Sequence, residues 1–264
     1  MPPTLKVERT ERVATVTLSR PDALNALDFE MMDALVANLA ALAADESLRV
    51  IVVRGEGAHF MAGGDVRAFA QHIDESPTAR QRHFARAIER LHAAIEQIHR
   101  MPHVAIARVQ GAAAGFGLSL VCACDLAIAS EDASFTSAYR QLALTPDGGL
   151  TFALPRIVGL RKALQVVLLS ERLDSAEALR LGLVNKVVPL EKLDAAVAEW
   201  AASIAHGPTV ALRNAKRLLR QSLDRTLSEQ LHAEAQSFAQ CAATDEFAEG
   251  VRAFIEKRKP RFNE

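Results

Sequence analysis

Two glycine-rich turns, each following a short apolar run, constrain this chain more than any other feature. Val50-Ile51-Val52-Val53 leads into Phe60-Met61-Ala62-Gly63-Gly64-Asp65, and Val104–Val109 leads into Gly111-Ala112-Ala113-Ala114-Gly115-Phe116-Gly117. Apolar runs of that length between turn signals read as buried strands. The second turn opens into Gly117–Ala123, so apolar all round that it reads as a helix in the middle of a core. A helix entered through such a turn leaves backbone N–H groups free at its positive end. Two turns that each aim one N–H at a single oxygen have the geometry of an oxyanion hole.

About 30 residues further on, Thr145-Pro146-Asp147-Gly148-Gly149 supplies a carboxylate in a tight turn. A place to stabilise an enolate, with a base beside it, points to proton abstraction next to a carbonyl.

The flanking pattern is α/β. Leu5–Arg9 and Val13–Leu18 alternate like a hairpin. Asn25–Leu42 is helical through Leu27, Met31, Leu35 and Leu39, with Asp28 as cap. Arg80–Arg100 is amphipathic, with a stripe of Phe84, Ile88, Leu91, Ile95 and Ile98. Strand, strand and helix recur before Leu160, and from Arg161 the pattern is helical, broken at Gly182–Pro189 and Ala205–Thr209. The second break separates a core over 1–205 from helices over 206–264, which are too few and too amphipathic to fold alone.

Of the 264 residues half are hydrophobic, ample for a large core, and the net charge is −1. Nothing in that balance draws the whole chain to nucleic acid or to a membrane, and no apolar run reaches the roughly 18 residues of a span. Cys122, Cys124 and Cys241 match neither a disulfide framework nor a zinc ribbon, and read as free thiols in a reducing, cytoplasmic setting. His92, Glu96 and His99 share a helix face but border its apolar stripe, so they read as a solvated shoulder; no metal site is expected. Asp125 reads as structural, and Arg213, Lys216, Arg217 and Arg220 as a solvated or subunit-contacting face.

Seven segments in order resemble the crotonase superfamily, the enoyl-CoA hydratases and isomerases. They are Arg20-Pro21 with Asn25-Ala26-Leu27, Phe60–Asp65, Gly111–Gly117, Cys124–Ala129, Pro155–Gly159, Ala178–Asn185 and Phe254–Pro260, spanning nearly the whole chain. The resemblance implies a spiral of ββα units with a C-terminal helical region used in trimer formation, as a homotrimer or dimer of trimers. It implies an acyl-CoA substrate, and no cofactor beyond the coenzyme A of the thioester. The oxyanion N–H groups carry over to Gly64 and Phe116, the latter where family members commonly have glycine. CoA contacts carry over to Ala23, Leu24, Ala62 and Asp65, with Phe254 and Lys257 from a neighbouring subunit meeting adenine and phosphates.

The hydratase branch uses two glutamates, whose positions here fall on Ser119 and Tyr139. Neither is a carboxylate, and a tyrosine of ordinary pKa near 10 is a poor base at neutral pH. Asp147 stands where isomerase members carry their acid, and an apolar setting of Phe116, Leu144, Leu150 and Phe152 would suit it to neutral pH. The resemblance therefore leans to a Δ3-Δ2 enoyl-CoA isomerase. The alternatives are a hydratase, a ring-acyl-CoA enzyme of the epoxyphenylacetyl-CoA isomerase or dehalogenase type, and a non-catalytic acyl-CoA-binding protein.

Overall fold

The computed structural model describes residues 3–262. Strands β1 (Leu5–Thr10) and β2 (Val13–Leu18) form the expected hairpin. β2 then pairs in parallel with β3 (Val50–Gly55), and β3 with β4 (Val104–Val109). With β5 (Ala112–Ala114), β6 (Leu126–Ser130), β7 (Ser134–Thr136), β8 (Leu173–Asp174) and β9 (Lys186–Val188), two sheets result. The larger runs β1-β2-β3-β4-β6-β9 and the smaller β5-β7-β8.

Alternation along β3 explains its unbroken apolar run. Ile51 and Val53 enter the main core, while Val50 and Val52 pack on the opposite face of the sheet. That second face, with Ile106 and Ile128, is covered by Leu193, Val197 and Ala201 of α8 (Leu190–Ala205) once the chain has passed through the helices between. On the main-core side lie α1 (Phe29–Ala43), α3 (Pro77–Arg100) and the wholly buried α4 (Phe116–Ala123). Asp28 caps α1 by accepting the Met31 N–H at 2.8 Å, and Ser76 caps α3. Short α2 (Val66–Ala70) leaves the first glycine turn; α5 (Leu150–Val158), α6 (Leu160–Leu169) and α7 (Ser175–Arg180) precede β9.

The last three helices, α9 (Thr209–Gln221), α10 (Leu227–Ala242) and α11 (Asp245–Ile255), begin at the break found in the sequence. The basic face of α9 is not simply solvated. Lys216 Nζ reaches Asp125 Oδ2 at 2.7 Å and the carbonyls of Ile98 and His103 at 3.1 and 2.7 Å. Arg220 grips the other oxygen of Asp125 at 2.8 Å and the Ala123 carbonyl at 2.8 Å. Asp125 also accepts the Ala105 N–H at 2.8 Å, which confirms its structural reading. Burial pulls the Lys216 pKa down, opposed by Asp125. Cys122 and Cys124 are buried free thiols pushed up to about 12 by burial, and Cys241 is free and half-buried.

With the Lys216 side chain only 8% exposed, removing its counter-charge strands a buried cation. Asp125→Ala should therefore lose about 3–5 kcal/mol in urea unfolding. Asp224→Ala, which breaks an exposed pair with Arg156, should lose less than about 1 kcal/mol.

Candidate active site

Both glycine turns leave the C-terminal ends of neighbouring parallel strands, β3 and β4, where open α/β sheets place their ligands. They are stitched together by backbone: Met61 N–H donates to Ala112 C=O at 3.0 Å and Ala114 N–H to Met61 C=O at 2.9 Å. Gly115 N–H is taken by Thr136 C=O at 3.1 Å. Gly63 (φ +95°) and Gly115 (φ +53°) then pack backbone to backbone. A methyl on Gly63 would stand 3.1 Å from the Ala114 carbonyl, and one on Gly115 3.3 Å from the Gly63 Cα. Glycine at both positions is what lets the turns meet.

The turns end at Gly64 and Phe116. Among the described residues neither backbone N–H has a recorded acceptor: Leu27 bridges to the Gly63 carbonyl and the Asp65 N–H instead. Phe116 is the first residue of α4, which has no side-chain cap, so its N–H keeps the free, positive end of a buried helix.

The wall beside Gly64 comes from the Arg20-Pro21 turn. Leu24, held left-handed (φ +53°), accepts the Ala62 N–H at 3.0 Å, bringing Ala23, Leu24, Ala62 and Asp65 together. Asn25, fully buried, holds that turn: it accepts Arg20 N–H at 2.9 Å and donates to Glu56 and His59 carbonyls at 2.9 and 2.8 Å. Both carboxylate oxygens of Asp65 are engaged, one by the Arg67 N–H at the start of α2 and one by Arg20 at 2.8 Å. Phe254, on the last turn of α11, is 83% exposed and Lys257 follows just beyond the helix; among the described residues neither makes a hydrogen bond to this site.

On the other side of α4, three polar residues converge. Tyr139 donates its hydroxyl to Asp147 Oδ1 at 2.6 Å, and Ser119 Oγ donates to the Asp147 carbonyl at 2.9 Å. Ser119 Oγ and the Tyr139 hydroxyl are 3.1 Å apart. A side chain on Gly148 would stand 2.8 Å from the Phe116 ring and from Ser119, so the turn sits directly on α4. Burial raises the Asp147 pKa, opposed by the Tyr139 hydrogen bond and by His92. Tyr139 is raised too, by burial and by the Asp147 charge, so it serves as donor to the carboxylate.

The apolar setting differs in part from expectation. Phe116 and Leu150 are buried, but Leu144 is 50% exposed and Phe152 44% exposed, with Arg156 stacked on its ring at 3.6 Å. The solvated-shoulder reading of the α3 histidines also needs correction. His92 turns inward, and its Nε2 accepts the Gly148 N–H at 3.3 Å, beside Asp147. His99 is half-buried, edge-on to Phe152, and its pKa is lowered by burial and by Arg220. The periodicity of α3 carried no signal that the Asp147 turn would fold back onto it.

Two turns that end in N–H groups, with a carboxylate turn packed against the helix that one of them opens, form an arrangement suited to chemistry next to an acyl carbonyl. The sequence profile of the enoyl-CoA hydratase/isomerase family matches residues 8–264. A probable enoyl-CoA hydratase of Rhodobacter capsulatus is 34% identical over 98% of this chain and 97% of its own length. A 1,2-epoxyphenylacetyl-CoA isomerase of Escherichia coli is 32% identical over 95% of this chain and 94% of its own. A 4-chlorobenzoyl coenzyme A dehalogenase of Arthrobacter is 32% identical over 96% and 91%. The crystal structure of an enoyl-CoA hydratase from Polaromonas superposes with a TM-score of 0.91, at 33% identity, over 98% of this chain and 99% of that one. The chain belongs to the enoyl-CoA hydratase/isomerase family and has its α/β fold.

Because the folded-state pKa of Asp147 is raised, the folded chain holds that proton more tightly than the unfolded one. Burying the charged carboxylate therefore opposes folding above the raised pKa, and the penalty fades as pH falls towards the ordinary carboxylate value. Asp147→Asn, which keeps an acceptor for Tyr139, should raise stability at pH 7.5 by about 0.5–2 kcal/mol. The gain should shrink towards pH 4.5, as read by urea unfolding at the two pH values.

Proposed function

We propose that the protein is an acyl-CoA double-bond isomerase that shifts a 3-enoyl thioester to the conjugated 2-enoyl form. One observation carries this reading. Ser119 and Tyr139, which stand where the hydratase branch has glutamates, are hydroxyl groups tied to one residue, Asp147: Tyr139 donates to its half-buried carboxylate and Ser119 to its backbone carbonyl. Hydration calls for one group to place water and another to move a proton. Isomerisation needs one base.

In this reading the thioester oxygen lies between the N–H groups of Gly64 and Phe116. Asp147 takes a proton from C2, the electron pair delocalises as a dienolate, and the N–H pair carries the charge on oxygen. The same carboxyl returns the proton to C4, leaving the 2,3 double bond. The raised pKa of Asp147 brings it towards the working pH, which strengthens it as base without removing it as acid. Ala23, Leu24 and Ala62 line the path of the CoA arm, and Asp65 borders it as a brace, its carboxylate held by Arg20 and by the Arg67 N–H.

With trans-3-hexenoyl-CoA, conjugated-thioester absorbance should appear, and crotonyl-CoA hydration should be slower by orders of magnitude. Asp147→Asn should lower isomerisation by at least about 10³-fold while CoA-thioester binding changes less than about threefold. Retained turnover in the variant would remove Asp147 from the mechanism. Chloride release from 4-chlorobenzoyl-CoA would move the assignment to a nucleophilic role for the same carboxylate, and binding without turnover of any thioester would leave a non-catalytic acyl-CoA binder.

The same reading places a second and third copy of the chain around the first. Leu160, Leu168 and Leu169 of α6, Leu219 and Phe238 of α9 and α10, and Phe254 and Ile255 of α11 are each more than 60% exposed. Apolar surface on that scale is the mark of an interface. Light scattering should give a trimer or a multiple of it; Phe254→Ala with Ile255→Ala should weaken assembly or raise the KM for acyl-CoA, and a monomer at micromolar concentration would defeat the expectation.

A further inference from the structure

Away from the Asp147 cluster, two histidines and a glutamate converge where the segment after Gly64 folds back onto α3. His72 and Glu75 lie between α2 and α3, and His83 lies on the second turn of α3. One ligand-type atom from each lies within 4.8 Å of the others. Glu75 Oε1 is 2.7 Å from His72 Nδ1. The imidazoles of His72 and His83 stack, with centroids 3.7 Å apart and planes at 26°. Phe29 and Phe84 stand edge-on to both rings. His83 Nε2 is buried with no hydrogen-bond partner among the described residues.

One of these features is costly for a purely structural cluster. A buried ring nitrogen without a partner loses its hydration and gains nothing. A carboxylate oxygen and two imidazole nitrogens facing one another within 4.8 Å, by contrast, are a set that one metal ion would satisfy together.

We propose that His72, Glu75 and His83 form a binding site for a divalent transition-metal ion of zinc type. Two imidazole nitrogens and a carboxylate, completed by water, are a ligand set that zinc accepts. Tetrahedral zinc with bonds of about 2.0–2.1 Å holds its ligand atoms about 3.3 Å apart, so closing the cluster takes about 1–1.5 Å of movement. Rotation about χ2 brings the two rings edge-on to the ion, and that torsion is broad for histidine. The ion would satisfy His83 Nε2 and tie the end of α2 to α3.

The tie bears on the active site through one line of contacts. Phe69 of α2 lies against Gly64, where an added Cβ would stand 2.5 Å from its ring, and packs edge-on to Phe84 at 5.3 Å. Phe84 in turn packs against both histidines. Metal binding would fix the segment that borders the Gly64 N–H. The site itself stands whether or not the isomerase assignment does.

Chelator-treated full-length protein, titrated with zinc chloride by calorimetry and followed by thermal melting, tests this. One equivalent should bind in the micromolar range with a rise in Tm. His83→Gln and Glu75→Gln should each weaken binding at least about tenfold and abolish the Tm rise. Glu75 is partly exposed, so its variant folds even where His83→Gln does not. No binding up to about 1 mM zinc, or binding by both variants as tight as by the unchanged protein, would overturn the site.

Discussion

The close approach of Gly63 to Gly115 is the contact on which the rest of the site depends. Each turn alone is a common exit from a parallel strand. What makes a site is that the backbones touch, with Met61 bridged to both Ala112 and Ala114 so that the pair cannot slide. Gly64 and Phe116 follow one residue later on each side, so the direction of both N–H groups is set by paired backbone rather than by mobile side chains. Donors held in this way need no reorganisation when charge develops, which is the condition for electrostatic stabilisation to count. It also explains why phenylalanine is tolerated at the second position. The donor is main chain, and the ring is packed under Gly148.

The Asp147 turn answers a different demand. A carboxylate that is to exchange a proton near neutral pH must be dehydrated enough to hold it, yet must not be left without partners. Here burial supplies the first and Tyr139 the second, while Ser119 fixes the turn through its backbone carbonyl. One carboxylate oxygen is bonded to Tyr139, and in the proposed mechanism the other would take the substrate proton. Ser119 and Tyr139 are thus not vacancies left by lost glutamates. They hold the Asp147 turn in place, which ties the one carboxylate of the cluster to residues that look inert in the sequence.

Elements set by periodicity were legible before any coordinates: both apolar strands, the Asp28 cap, the buried α4 and the break before α9. Their signals are local, a period of two or 3.6 with a capping residue. The convergence of Gly64, Phe116 and Asp147 rested on motif order alone. What stayed hidden is what depends on long-range packing. Nothing local marks Asn25 as the buried brace of the Arg20 turn, or His92 as the acceptor beneath Gly148. Lys216 and Arg220 sit on a helix face that reads as solvated, and only the position of Asp125 at the end of α4 turns them inward. Leu144 and Phe152 read as pocket lining because they flank Asp147, but a turn projects its neighbours in several directions and these two face out.

The basic tail shows how charge at the surface divides between holding the fold and remaining available. Arg258 is bound to Glu249 and Glu256, and Glu249 also accepts the Arg261 N–H. Those bonds close the end of α11 on itself. Lys257 is turned out by a left-handed backbone (φ +54°), one helical turn from the exposed ring of Phe254. A planar ring beside an ammonium group matches the chemistry of a nucleotide, an aromatic base joined to phosphate. A neighbouring copy that brought its Gly64 wall alongside would give the pair a use, and the exposed leucines of α6 and α9 are apolar surface suited to such a contact. Assembly and substrate binding would then share one cause, an α11 left uncovered by its own chain.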